Sequence, residues 1–249
     1  MQFESREKLA AYFLANPGLH MLDLKHGPEL TSLPELPSTL RVLRVIDCHG
    51  LTSLPALPST LTTLRVINCS GLTSLPALPS TLRYLVVEHC SGLTSLPELP
   101  STLTDLQVFD CPALTSLHAL SGSLLTLRVM DCPGLMCLPA LPNTLSYLVV
   151  DNCPGLTGVP ELPNSLVELW IVNCHSLTSI SALPSTLLYL YVYECPRLAS
   201  MPALPSTFRQ IYAFYSPRHL ASFPASPSAF AVVDLKVYNL IWLSKLPVS

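Results

Sequence analysis

A single spacing governs this chain: leucines recur at Leu30, Leu51, Leu72, Leu93, Leu114, Leu135, Leu156, Leu177 and Leu198, every interval being twenty-one. Cysteine keeps the same step at Cys48, Cys69, Cys90, Cys111, Cys132, Cys153, Cys174 and Cys195. The unit reads L-T-S-L-P-x-L-P-S-T-L-x-x-L-x-V-x-x-C-x-x, most cleanly over residues 51–69. A repeat of this length is one supersecondary unit that cannot bury its apolar side alone, so consecutive units must stack into a solenoid with a continuous core.

The two halves of the unit have different periods. The segment L-x-x-L-x-V ends in alternation, as at Leu64, Arg65, Val66 and Ile67, which predicts a short half-buried strand in each coil. The segment L-P-x-L-P places its second proline three positions after the first, which forbids an α-helix and predicts an extended return near polyproline II. Stacked coils then form a parallel sheet with strands about 4.8 Å apart. Weaker copies extend the series on both sides. Residues 19–24 supply an opening strand, and residues 208–213 and 230–235 continue the stack, with one residue inserted near Pro217 between them. The expected organisation is an N-terminal helical cap over residues 1–18, about eleven coils over 19–239, and a C-terminal cap or tail over 240–249. Within the first part, residues 4–15 place Leu9 and Phe13 four apart with Tyr12 alongside, before the breaker Asn16, Pro17, Gly18.

Composition now follows from architecture and narrows function. Charged residues make up 12% and hydrophobic residues 49%, against about 25% charged in ordinary globular domains. That excludes a disordered chain. No apolar run approaches the roughly 18 residues of a membrane-spanning helix. A net charge of -3 leaves no basic field to attract nucleic acid. Residues 1–8 lack the basic-then-apolar order of a Sec signal, so synthesis in the cytoplasm is expected, with any export by another route.

The cysteines read as a buried ladder of small weak donors. Thiols pointing the same way from parallel coils disfavour disulfides, and zinc sites need four convergent ligands, usually with C-x-x-C pairs, which the chain lacks. The ninth cysteine, Cys137, replaces a serine and has no general base near it in sequence. No cofactor is expected, and no acid, base and nucleophile constellation suggests an enzyme.

Binding belongs on the strand face, where the side chains between the buried leucines form rows. The middle row is Arg44, Arg65, Val86, Gln107, Arg128, Val149, Trp170, Tyr191 and Tyr212; the rows on either side carry Tyr147, Tyr189, Tyr193 and Phe214. The C-terminal half thus gathers Tyr147, Trp170, Tyr189, Tyr191, Tyr193, Tyr212 and Phe214, residue types that dominate protein-binding hot spots. Arg44, Arg65 and Arg128 add candidate contacts to an acidic partner. A further row, Asp47, Asn68, His89, Asp110, Asp131, Asn152, Asn173 and Glu194, precedes the cysteines and reads as a solvated rim bonded to turn amides.

At L-P-x-L-P-x-x-L-x-x-L-x-V, as in residues 33–45 and their copies, the sequence resembles the leucine-rich repeat domains of bacterial type III secretion effectors, the YopM and IpaH-like group. The resemblance implies a leucine-rich repeat solenoid with a parallel β-sheet on the concave face, extended return arms on the convex side and a short N-terminal helical cap. It also implies delivery into a host cell and binding of a host protein there. The ending V-x-x-C-x-x-L departs from the family's V-x-x-N-x-L by one residue and by the cysteine. IpaH-like relatives carry a C-terminal ubiquitin-ligase domain, and no segment of this sequence is long enough to be one. Two alternatives stay open: the substrate-recognition domain of a larger ubiquitin-ligase effector, and an engineered repeat scaffold.

Overall fold

The structure is a computed structural model that describes residue 3, residues 5–27 and 29–205 with their side chains, and the backbone of residues 210–214. The expected coil at Phe230, the insertion near Pro217 and the C-terminal cap or tail over residues 240–249 lie outside the described residues, as do the side chains of Tyr212 and Phe214.

Helix α1 (Arg6–Ala15) opens the chain. Ser5 holds an extended backbone and its Oγ accepts from the Lys8 amide at 3.3 Å, satisfying one of the helix's orphan donors. Asn16 closes it, its side-chain amide donating to the Tyr12 carbonyl at 2.8 Å. The helix starts later than residue 4, because its cap is Ser5. Leu9 and Phe13 are buried as their spacing predicts, and Phe3 leans on the Tyr12 ring.

Ten short strands follow: β1 (Met21–Lys25), β2 (Val42–Ile46), β3 (Thr63–Ile67), β4 (Tyr84–Glu88), β5 (Asp105–Phe109), β6 (Thr126–Met130), β7 (Tyr147–Asp151), β8 (Glu168–Val172), β9 (Tyr189–Tyr193) and β10 (Gln210–Phe214). They form one parallel sheet in sequence order. The register steps by one full repeat from each strand to the next, so Leu43 pairs with Leu64 and Arg44 with Arg65. The second and fourth residue of each strand through β9 are buried. Four leucines and a valine per coil, such as Leu51, Leu54, Leu61, Leu64 and Val66, join one continuous core.

Each coil turns twice. The leucine after the cysteine donates to the cysteine carbonyl, as Leu72 does to Cys69, and the leucine after P-S-T donates to the proline carbonyl, as Leu61 does to Pro58. No helix or strand occupies the described return arms, consistent with the prolines they carry.

The cysteine ladder is as expected. All eight of its thiols are buried, and Cys137 is exposed. Each ladder sulfur donates to the carbonyl of the last strand residue, as Cys69 does to Ile67 at 3.4 Å. Several also face a carbonyl of the preceding coil, as Cys69 faces Val45 at 3.7 Å. A second ladder comes from the threonine of P-S-T-L. The Thr60 Oγ1 lies 2.8 Å from the carbonyls of both Ser38 and Leu40, and Thr81, Thr102 and Thr144 repeat the arrangement. These hydroxyls tie their return arms to the coil before.

The row before the cysteines differs from a simple solvated rim. Asp47, Asn68, His89, Asp110, Asp131, Asn152, Asn173 and Glu194, together with His26, all take left-handed backbone with φ from 46° to 55°. Asn, Asp and His tolerate that region better than other non-glycine residues, which explains why the position is so restricted. Their backbone amides reach the next coil, as Asn68 N–H does to the Glu88 carbonyl at 2.8 Å. Several of their side chains bond one another: Asn68 donates to Asp47 at 2.7 Å, His89 meets Asp110 at 2.6 Å, and Asn152 donates to Asp131 at 2.6 Å.

Candidate functional site

The outward rows of the strand face are set by pleat parity. In each strand the first, third and fifth residues turn away from the leucine core. Strands β7, β8 and β9 therefore bring Tyr147, Trp170, Tyr189, Tyr191 and Tyr193 onto one surface, and each is half-buried. Trp170 and Tyr191, adjacent across the register, stack with ring centroids 3.6 Å apart and an interplanar angle of 16°. The Trp170 indole N–H donates to Glu168 Oε1 at 2.6 Å, which fixes the orientation of the ring.

The arginines occupy the other half of the face, and two of them are already engaged. Arg65 lies over the Tyr84 ring at 5.3 Å and donates to its hydroxyl at 3.2 Å. Arg128 lies over the Tyr147 ring at 5.0 Å. Each pair joins a middle-row arginine to the first-row tyrosine of the next coil. Gln107 donates to the Tyr84 hydroxyl and to Asp105. Arg44 is half-buried, and the Nε atoms of Arg44 and Arg128 are buried without a hydrogen-bond partner. Arg65 and Arg128 are thus part of the surface's own packing.

Several outward positions do not reach solvent as parity suggests. The middle-row Val86 and Val149 are buried, because a valine among tyrosine, tryptophan and arginine lies below the level its larger neighbours reach. Gln107 is buried as well, and so are Asp151 and Val172 of the fifth row. Asp151 accepts a bond from Asn173 at 3.2 Å, yet burial pushes its carboxyl up to about 6, with Asp131 adding to the rise. Burial also raises Asp105 and Glu168, against the opposing pull of their hydrogen bonds to Gln107 and Trp170 and of the Arg128 charge. Burial and the Glu168 charge push the Tyr147 phenol up to about 12. Among the ladder thiols, burial raises Cys132 and Cys153 to about 12, so these sulfurs are protonated at neutral pH and are poor nucleophiles.

A further row is not legible from strand alternation. The position just before each strand runs Arg41, Thr62, Arg83 and Thr104, then changes to Leu125, Ser146, Val167 and Leu188. Leu125 and Val167 are exposed, at 47% and 36%. Their carbonyls accept from the amides of Tyr147 and Tyr189 in the next coil, so the aromatic surface continues into an aliphatic margin. The change from arginine and threonine to leucine and valine is its signal in the sequence.

No protein-family model matches the sequence, and no curated protein matches it either. Among solved structures, the leucine-rich repeat domain of the type III effector XopL superposes with a TM-score of 0.60 at 22% identity, over 82% of this chain and 80% of that one. The chain has the leucine-rich repeat fold. YopM from Yersinia enterocolitica WA-314 is 26% identical over 87% of this chain, with a TM-score of 0.45, and YopM from Yersinia pestis is 24% identical over 90%, with a TM-score of 0.38. The chain spans 59% of the first of these YopM structures and 91% of the second. Within the leucine-rich repeat fold, this chain carries a cysteine ladder on its core side and an aromatic cluster on β7 to β9.

Proposed function

We propose that this leucine-rich repeat is a non-catalytic protein-interaction module that binds a partner protein through its strand face, and that it acts as a type III effector on a host protein. The observation that carries the binding reading is the aromatic surface of Tyr147, Trp170, Tyr189, Tyr191 and Tyr193, with Trp170 and Tyr191 already stacked and held by Glu168. Rings ordered before a partner arrives lose little conformational freedom on binding, and aromatic residues at the centre of a patch carry most interface energy. The exposed Leu125 and Val167 widen the apolar area. The likeness of the L-P-x-L-P motif to that of type III effectors supports the host setting.

The test is affinity capture from host-cell lysate with the wild-type chain, the double variant Trp170→Ala and Tyr191→Ala, and the return-arm control Glu161→Ala. The reading requires a protein that the wild type and the control retain and the double variant loses, while the double variant stays folded by circular dichroism with a stability loss of about 1–2 kcal/mol from the lost ring contacts. Capture unchanged by the double substitution overturns it.

A further inference from the structure

We infer that an acidic segment of the partner protein occupies the N-terminal part of the strand face, over β2 to β4, its carboxylates held by Arg41, Arg44 and Arg83 with Arg65 alongside. This deepens the protein-binding reading and rests on it.

Charge is unevenly placed along the coils. Residues 41–83 contain four arginines and one carboxylate, Asp47. Asp47 is already shared by His26 at 2.9 Å and Asn68 at 2.7 Å. The carboxylates that border this stretch on the strand face have partners of their own. Asp23, in register beside Arg44, meets Lys25 at 3.5 Å. Glu88 meets His89 at 3.5 Å, and Asp105, on the strand after Tyr84, accepts from Gln107 at 2.9 Å. The ion pairs of the described residues are made by Lys25, His26 and His89, and none is made by Arg41, Arg44, Arg65 or Arg83. Even with Asp23 beside Arg44, the charges of Arg41, Arg65 and Arg83 have no carboxylate in contact among the described residues.

The fold gathers these cations into one patch. Arg44 and Arg65 are register partners on neighbouring strands, where like charges side by side are destabilising. Arg65 leans on the Tyr84 ring and gives one Nη donor to its hydroxyl, so its further N–H donors stay available. Arg44 is half-buried, and no acceptor of the chain bonds its Nε. Arg41 and Arg83 immediately precede β2 and β4 and are exposed, with the half-buried Thr62 in the coil between them. At about 3.3 Å per residue and about 4.8 Å per strand, the four α-carbons fall within a square roughly 10 Å on a side. The electrostatic complement of such a patch is a cluster of carboxylates, to which each guanidinium presents paired donors. Val42, Ile46 and Ile67 are half-buried in the rows on either side, so the segment that fits carries aliphatic side chains among its acidic ones. The patch is small and the whole chain carries a net charge of -3, which favours a short acidic peptide over a nucleic-acid backbone.

The probe is a capped, fluorescein-labelled peptide of glutamates interspersed with valines, compared with the same peptide carrying glutamine in place of every glutamate. Binding to the full chain is read by fluorescence anisotropy at low and at physiological salt. The expected result is a Kd for the glutamate peptide at least tenfold below that for the glutamine peptide at low salt, rising as salt is added. Arg44→Gln weakens the glutamate peptide at least fivefold, and so does Arg41→Gln combined with Arg83→Gln, a pair whose exposure spares the core. Arg197→Gln, which removes a charge from the turn after β9, leaves it unchanged.

Equal affinity for the glutamate and glutamine peptides overturns the inference. So does a loss on Arg197→Gln as large as that on Arg44→Gln, which reports only net charge. A labelled oligothymidylate that binds more tightly than the glutamate peptide also overturns it, since the occupant is then a phosphate backbone. If the glutamate peptide fails while Trp170→Ala with Tyr191→Ala still abolishes partner capture, the acidic occupant is wrong and the protein-binding reading stands. If the peptide fails and capture survives that double substitution, both fall.

Discussion

Asp151 shows what a single position costs a stacked fold. Its carboxyl is raised to about 6 by burial, so the folded chain holds the proton more tightly than the unfolded one. That favours folding below the unfolded value near 3.8, and the advantage is lost as pH climbs towards 6. The rise corresponds to roughly 3 kcal/mol undiscounted, and solvent near the carboxylate brings the expected effect down to about 1 kcal/mol. Asp151→Asn should therefore raise the urea midpoint at pH 7.5 and flatten its fall between pH 4 and 6; Asp105 and Glu168, shifted the same way, leave a residual slope. A midpoint at pH 7.5 equal to or below that of the wild type contradicts this. The thiols make a second case at this scale. Eight are buried and Cys137 is exposed, so an aromatic disulfide reagent should titrate one thiol per chain in the native state and all the cysteines after denaturation. More than one fast-reacting thiol would show that the ladder opens.

At the scale of the coil, the left-handed residue before each cysteine ends a strand and keeps the hydrogen-bond ladder running into the turn. Asn68 combines φ of 55° with a side-chain bond to Asp47 at 2.7 Å. Asn68→Val should cost about 2 kcal/mol, since a β-branched residue resists this backbone. Asn68→Gly forfeits the side-chain bond but accepts the backbone freely, and should cost less than about 1 kcal/mol. Chemical denaturation of both variants separates backbone strain from lost bonding, and equal losses would place the role in the side chain alone. The strands themselves were legible because leucine and valine two apart mark one buried side. The left-handed turn was not, because the set Asn, Asp and His also suits ordinary solvated turns. The threonine ladder was hidden for a different reason: its acceptors lie a whole coil away in the chain, beyond any local pattern.

The whole molecule behaves as a one-dimensional stack in which each coil meets only its neighbours. Its N-terminal end is closed by Leu9 and Phe13 of α1, which join the same core as Leu22 and Leu24 of β1. Leu9 is fully buried, so Leu9→Ala should cost about 2–4 kcal/mol at that end. Nearest-neighbour coupling predicts that amide hydrogen exchange speeds up in β1 and β2 and hardly changes in β7 to β9. Uniform acceleration along all strands would instead mean that the solenoid opens as one cooperative unit. The low charge of the chain belongs to this scale too: each coil gives its leucines and valine to a core that runs the length of the stack.

Fold and phase were written in the repeat. A fixed period, paired prolines that exclude a helix, and alternation that assigns each strand residue to a side together leave one way to bury the leucines. The identity of the candidate surface was legible to the same depth, since parity placed Tyr147, Trp170, Tyr189 and Tyr191 on the strand face. What those residues do to each other was decided by stacking. Trp170 meets Tyr191 of the next coil, Arg128 covers Tyr147 of the next coil, and Val149 sinks from view between larger neighbours. Such contacts depend on ring orientation and on relative side-chain size in adjoining coils. Local propensity carries neither, because both arise only once the coils lie about 4.8 Å apart.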